Sequence, residues 1–297
     1  MKPYRERTPD AQYQNLLRKI LEEGTRVRPI HGEKARMLVG QQLRYSMVNG
    51  FPVITERDLS GAMFTGALAE HIAFLHGART QAEIEKFGCK WWKPWVTREK
   101  CAVFGLPEGD LGDGSYGAAW TAFPTKEGIP FNQIKNLVQQ IKERPYLRTH
   151  FISPWIPQYA LQHSGLIRKV VVAPCHGWIH VLAFPETREL SIHHFQRSAD
   201  FPVGVPFNMI QYAAFGMMLA HILGYTLKEV VYTFSDIHIY ESQYTKVKEL
   251  LAREPRRLPT VTLLSSPTAD DIFAFRPEHF VLSDYEPHPK MLIPTPI

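Results

Sequence analysis

Residues 206–223 constrain the fold most. They form the longest apolar helical stretch of the chain, and Met217, Met218 and Leu219 within it read as core filling. Strand-like segments lie on both sides: 151–153, 170–173, 179–184 and 189–195 before it, and 230–240 after it. Residues 36–45 alternate enough to make another strand, and Gly50-Phe51-Pro52 turns the chain out of it. Amphipathic helices are expected over 11–23, where Leu16, Leu17, Ile20 and Leu21 share a face before Gly24, and over 131–143, where Ile134, Leu137, Val138 and Ile141 recur before Arg144-Pro145. Further helices fall at 62–76, with Gly77 as C-cap, and at 241–252. The prolines of 287–296 exclude regular structure there. No repeat or linker divides the chain, so the reading is one α+β domain over residues 1–297.

Composition narrows the class further. A hydrophobic content of 44% with 21% charged residues is ample for a core. The net charge of +5 is scattered, which fits anionic small molecules as well as nucleic acid. No apolar run approaches the roughly 20 residues of a membrane span, and the charged start Met1-Lys2-Pro3-Tyr4-Arg5 has no signal-like segment. Cys89, Cys101 and Cys175 are too few for a disulfide framework and lack zinc spacing. The expectation is a reduced, cytoplasmic protein without a metal.

Chemistry concentrates around Ala173-Pro174-Cys175-His176, where the run Val170-Val171-Val172 suggests a thiol at the end of a buried strand. A lone cysteine is most often a small buried hydrophobe. A thiol beside a cation is different, because the cation favours the attacking thiolate. Arg197, in Gln196-Arg197-Ser198-Ala199-Asp200, supplies such a cation and can also grip a phosphate. Asn208 can donate and accept together, as reading the amide edge of a ring such as uracil requires. His238 and Tyr240, two apart on a strand, face the same side and can hold a sugar hydroxyl. Glu70 lies in an otherwise mostly apolar helix, where the ordinary place for a carboxylate is the polar edge. Trp91, Trp92 and Trp95 make either a satellite core or a platform for stacking a ring.

In this order and spacing the motifs resemble the thymidylate synthase family. Ala173-Pro174-Cys175-His176, Gln196-Arg197-Ser198-x-Asp200, Gly204-x-Pro206-Phe207-Asn208 and Asp236-x-His238-x-Tyr240 carry the match, which extends from Glu70, Trp92, Trp95, Tyr116 and Arg148 to Tyr285-x-Pro287-His288-Pro289 and Ile297. The resemblance implies a single-domain fold with a large mixed β-sheet and flanking helices, dimerising through the sheet. It implies dUMP and 5,10-methylenetetrahydrofolate as substrates, a homodimer, no metal, and no membrane or nucleic-acid partner. Cys175 would attack C6 of the pyrimidine so that C5 takes up the one-carbon unit, and Glu70 and Tyr116 would assist proton transfer. Asn208 and Gln196 would face the base, Arg197, Ser198 and a partner's Arg148 the phosphate, and His238 and Tyr240 the 3′-hydroxyl, with His176 beside the nucleotide. Asp200, Trp92, Trp95, Gly204 and Ile297 would meet the folate.

The chain also departs from that pattern. Thr149 replaces a second arginine, the loop Arg28-Pro29-Ile30-His31-Gly32 shifts another, and Glu56 replaces a lysine near the folate tail. Val172, Trp178, His180 and Ser235 are further changes, expected to cluster around the nucleotide. Val172 in place of leucine leaves room for water, so either methylation to dTMP or hydroxymethylation of dUMP fits. Asn208 rather than aspartate argues against a deoxycytidylate hydroxymethylase. A non-catalytic nucleotide- or RNA-binding protein would have no need of Cys175, Glu70, Asn208 and Tyr116 together.

Overall fold

The computed structural model of the protein describes residues 1–29, 32–264 and 271–296. Its frame is a mixed sheet of β1 (Thr25–Val27), β2 (Ala35–Ser46), β3 (Phe151–Ile152), β4 (Trp178–Phe184), β5 (Glu189–Asp200) and β6 (Thr226–Tyr240), in the spatial order β1-β2-β6-β5-β4-β3. All neighbours are antiparallel except β5 and β6, which run parallel. A parallel pair needs a crossover, and the helix Gly204–Leu223 supplies it.

That helix is buried nearly all round, as its composition demands. Gly216 lets it sit close to the sheet, since a Cβ there would stand 2.8 Å from Leu227 and 2.9 Å from Ile192. On its other side lies the helix Ala62–Leu75, buried from Gly66 to Leu75. The amphipathic helices Gln12–Glu23 and Gln133–Glu143 cover the sheet and its flank with the apolar faces read from the sequence. Buried side chains from Tyr13 to Ile293 join one apolar cluster. The sheet's other face carries exposed Phe151 and Phe195.

Several expectations are corrected. Residues 170–173 form no strand: Val171 N–H donates to Leu111 O at 3.0 Å, and Lys169 O accepts from Gly114 N–H at 3.0 Å. Their apolar character serves burial beneath the 109–115 loop, with Val170 wholly buried. Cys175 therefore sits on a loop and not at a strand end. β5 extends to Asp200, which places Gln196, Arg197 and Ser198 within the sheet. The predicted 241–252 helix divides into a 3-10 turn, Glu241–Gln243, and the helix Tyr244–Leu251. Sequence periodicity gave no sign of the small hairpin of β7 (Thr260–Leu263) and β8 (Phe280–Ser283), strands of four residues each.

Candidate active site

The parallel register of β5 and β6 sets Ser198 opposite Asp236 and Asp200 opposite His238, side by side at the strand ends. A cavity of about 820 Å³ opens there. Its wall combines Cys175, His176 and Val172 from the loop before β4, Gln196, Arg197, Ser198 and Asp200 from β5, Gly204 and Asn208 from the crossover helix, Glu70 from the 62–75 helix, and His238 and Tyr240 from β6. Trp91, Trp92 and Trp95 complete an aromatic flank and pack against the main core, so they are not a satellite cluster. Gly66 makes room for this flank, because a Cβ there would lie 2.7 Å from the Trp91 ring.

The thiol is held from three directions. Tyr116, buried behind it, accepts a hydrogen bond from Cys175 N–H through its hydroxyl at 2.8 Å. Arg197 donates from Nε to Pro174 O and from Nη2 to Ala173 O, both at 2.8 Å, and the same Nη2 lies 3.4 Å from Cys175 Sγ. The Arg197 N–H donates back to Cys175 O at 2.8 Å. One arginine thus fixes the loop and sets its charge on the sulfur. Burial pushes the Cys175 thiol up from its usual range, while Arg197 opposes that shift.

Glu70 is buried, and neutral donors alone meet its carboxylate. Trp92 Nε1 donates to one oxygen at 2.7 Å and Gln211 Nε2 to the other at 2.6 Å. Burial raises its pKa, and the two hydrogen bonds work against that. A buried carboxylate whose pKa is raised from the usual range is suited to moving a proton. The network continues from Gln211 to Asn208 and on to Gln196, both on the cavity wall.

On the β6 side, Asp236 accepts from Ser198 Oγ at 2.9 Å and lies 2.9 Å from His238 Nδ1, orienting both. The His238 ring meets Tyr240 edge-on at 4.9 Å. Asp200 accepts from Gln243 Nε2 at 3.0 and 3.2 Å and from Val203 N–H at 3.3 Å, yet burial pushes its pKa up to about 6. The same effect is stronger at His176, where burial drives the imidazole down to about 3 as it stacks on Tyr116 at 4.4 Å and bonds Tyr212 through Nδ1.

Most of the sequence-named residues converge here, with particular exceptions. Arg148 is exposed and lies outside this cavity, with its carbonyl 3.1 Å from His180 Nε2. Tyr116 touches Cys175 without lining the cavity. Ile297, Ile30 and His31 fall outside the described residues. The departures from the family pattern do not cluster around the cavity as expected: of those described, Val172 lines it, while Trp178 and His180 sit in the sheet against Phe195 and Phe151. Glu56 is buried away from it, with its pKa raised to about 7 by burial.

Sequence reasoning missed Gln211, Gln243 and Arg168, and named Asp236 within a motif without giving it a role. Two of these had a usable signal: Gln211 follows Asn208 at i+3 on a helix, and Asp236 shares a strand face with His238. Arg168 adds a guanidinium to the cavity wall and lies over the Phe104 ring at 4.4 Å. Among the described residues, no group of three or more His, Cys, Asp or Glu is placed to hold a metal.

The family model for thymidylate synthase matches residues 11–296, so the match spans every part of this cavity wall. The chain belongs to the thymidylate synthase family, enzymes that use methylenetetrahydrofolate for one-carbon transfer to dUMP.

Proposed function

We propose that the protein transfers the one-carbon unit of 5,10-methylenetetrahydrofolate to C5 of dUMP through a covalent Cys175–C6 adduct, giving dTMP and dihydrofolate. The observation that carries this reading is the Cys175 sulfur, 3.4 Å from the Arg197 guanidinium and facing the cavity that Asn208 and Glu70 also line. Thiolate addition to C6 makes C5 nucleophilic, and Arg197 stabilises the thiolate that begins the step. Asn208 reads the uracil edge, with Gln196 beside it. Glu70 moves the proton associated with O4 and C5, and Tyr116 assists from behind the thiol. Arg197 and Ser198 take the phosphate, while His238 and Tyr240 hold the 3′-hydroxyl. The residues present suit a folate: Trp92 and Trp95 offer ring faces, Asp200 offers hydrogen bonds to a pterin, and Gly204 leaves that rim open, with no atom within 4 Å of a Cβ built there.

Two features support a homodimer through the sheet. Phe151 and Phe195 expose apolar area on its open face, and Arg148 is exposed outside its own cavity, where it can serve a partner's phosphate site.

The reading is tested by following release of the C5 hydrogen from labelled dUMP and the mass of the product. The intact protein is expected to release it and form dTMP, and Cys175→Ala to abolish release while still binding dUMP. Full release by Cys175→Ala would end the covalent mechanism. Val172, whose short side chain lines the cavity, favours a second reading in which water intercepts the one-carbon adduct. A 5-hydroxymethyl product with tetrahydrofolate would establish that reading instead.

A further inference from the structure

We infer that Gln211, which does not line the cavity, locks the polarity of the Asn208 amide and thereby makes the site accept a uracil edge and reject a cytosine edge. The inference rests on the proposed role of Asn208 at the base.

The argument is one of donor and acceptor accounting. Gln211 is wholly buried, and its Nε2 lies 2.6 Å from Glu70 Oε2 and 3.2 Å from Ala67 O. A carboxylate and a backbone carbonyl only accept, so the Gln211 NH₂ must occupy that end and its oxygen the other. That oxygen lies 2.9 Å from Asn208 Nδ2, which must then be the donor. The far end is anchored in the same way: Gln196 Nε2 lies 3.2 Å from Ser198 O, another pure acceptor, and 3.1 Å from Asn208 Oδ1. With acceptors at both ends, the chain Gln196–Asn208–Gln211–Glu70 has one consistent polarity. Asn208 has one N–H committed to Gln211 and one oxygen lone pair committed to Gln196.

What Asn208 can still offer the cavity is one N–H and one lone pair, in fixed places. A uracil edge, with N3–H beside C4=O, complements that pair. A cytosine edge reverses donor and acceptor and would require Asn208 to flip. The flip would set Asn208 Oδ1 against Gln211 Oε1 and Nδ2 against the Gln196 NH₂, so two buried bonds become two like-with-like contacts. Without Gln211, half of that penalty disappears and Asn208 can turn. Gln211 is a positioning residue that acts on the base through Asn208.

The test compares the intact protein with Gln211→Met, which keeps the length but removes both hydrogen-bonding groups. Equilibrium binding of dUMP and dCMP is measured, with exchange of the Asn208 side-chain amide protons followed by nitrogen-15 NMR. In the variant, the preference for dUMP over dCMP should fall at least tenfold, mainly through tighter dCMP binding. Protected exchange of one Asn208 amide proton should quicken at least tenfold. A purely structural role for Gln211 would weaken both nucleotides alike, and that result overturns the lock. So does a dUMP preference that survives in the variant. The exchange measurement needs no ligand. If neither nucleotide binds the intact protein, the proposed function fails, and unchanged Asn208 exchange in the variant would still refute the lock by itself.

Discussion

Two buried polar regions adjoin the cavity, and they are built on opposite terms. In the first, Gln196, Asn208, Gln211, Glu70 and Trp92 are linked in a continuous hydrogen-bonded chain. In the second, His71, His176 and His194 surround Tyr212, with His194 stacked on that ring at 3.7 Å and His71 edge-on at 5.3 Å. There both nitrogens of His71, Nδ1 of His194 and Nε1 of neighbouring Trp120 have no hydrogen-bond partner. Gln196 Oε1 apart, the first region uses polar groups as polar groups, so each linked atom's identity is dictated by the next. The second uses aromatic rings largely for their shape, and burial holds its histidines neutral, with His71 and His176 driven down to about 3.

The strongest challenge to this contrast is Glu70→Gln. An amide at Glu70 must set its NH₂ against either Trp92 Nε1–H or the Gln211 NH₂, so the paired chain cannot absorb even this isosteric change. Turnover should fall about 10²–10⁴-fold, the range for loss of a general acid–base group. A loss of less than tenfold would show that Glu70 is not the proton carrier.

Acid tests the unpaired cluster. A histidine with a depressed folded pKa contributes stability that is present above the unfolded value and lost as pH falls below it. For His71 the window runs from 6.5 down to about 3. The stability difference between the intact protein and His71→Leu should therefore shift in the variant's favour by about 1.4 kcal/mol per pH unit as pH falls through that window, read from denaturant melts. Parallel curves would contradict a buried neutral His71.

Asp200 belongs with Glu70 in being hydrogen-bonded while burial raises its pKa, here to about 6 from 3.8. A raised carboxylate pKa contributes stability that is present below the unfolded value and lost as pH rises through the folded one. Across that window the loss is about 3 kcal/mol. Asp200→Asn should remove this part of the pH dependence, and an unaltered profile would place the titration on another group. The smallest effect is expected from His71→Leu at neutral pH. Removing two unpaired buried nitrogens should raise stability by about 1–2 kcal/mol, visible as a few degrees in Tm. A lower Tm would show that the ring's contacts with Trp120, Tyr212 and Phe215 outweigh the cost of its unpaired nitrogens.

Much of this was legible from residue order. Helix periodicity located 12–23, 62–75 and 133–143 closely, because an apolar stripe reports which face is buried whatever it packs against. The segment 170–173 misled for the complementary reason: an apolar run reports burial without saying whether a strand or a loop lies over it. Cys175, Arg197, Asn208, Asp200 and His238 could be named in advance because their side-chain chemistry is intrinsic. Asp236 was named within a motif but given no role, because its part depends on the β5–β6 register that brings Ser198 beside it.

By itself, then, the sequence determined which segments are buried, which nucleophile and carboxylate are present, and to which family their order belongs. Tertiary structure alone decided that Glu70 is buried against neutral donors, that Arg197 both braces and charges the Cys175 loop, and that Asn208 has one allowed polarity. The physical reason is distance along the chain. Glu70 and Gln211 are 141 positions apart, and a hydrogen bond between them exists only because two helices pack together.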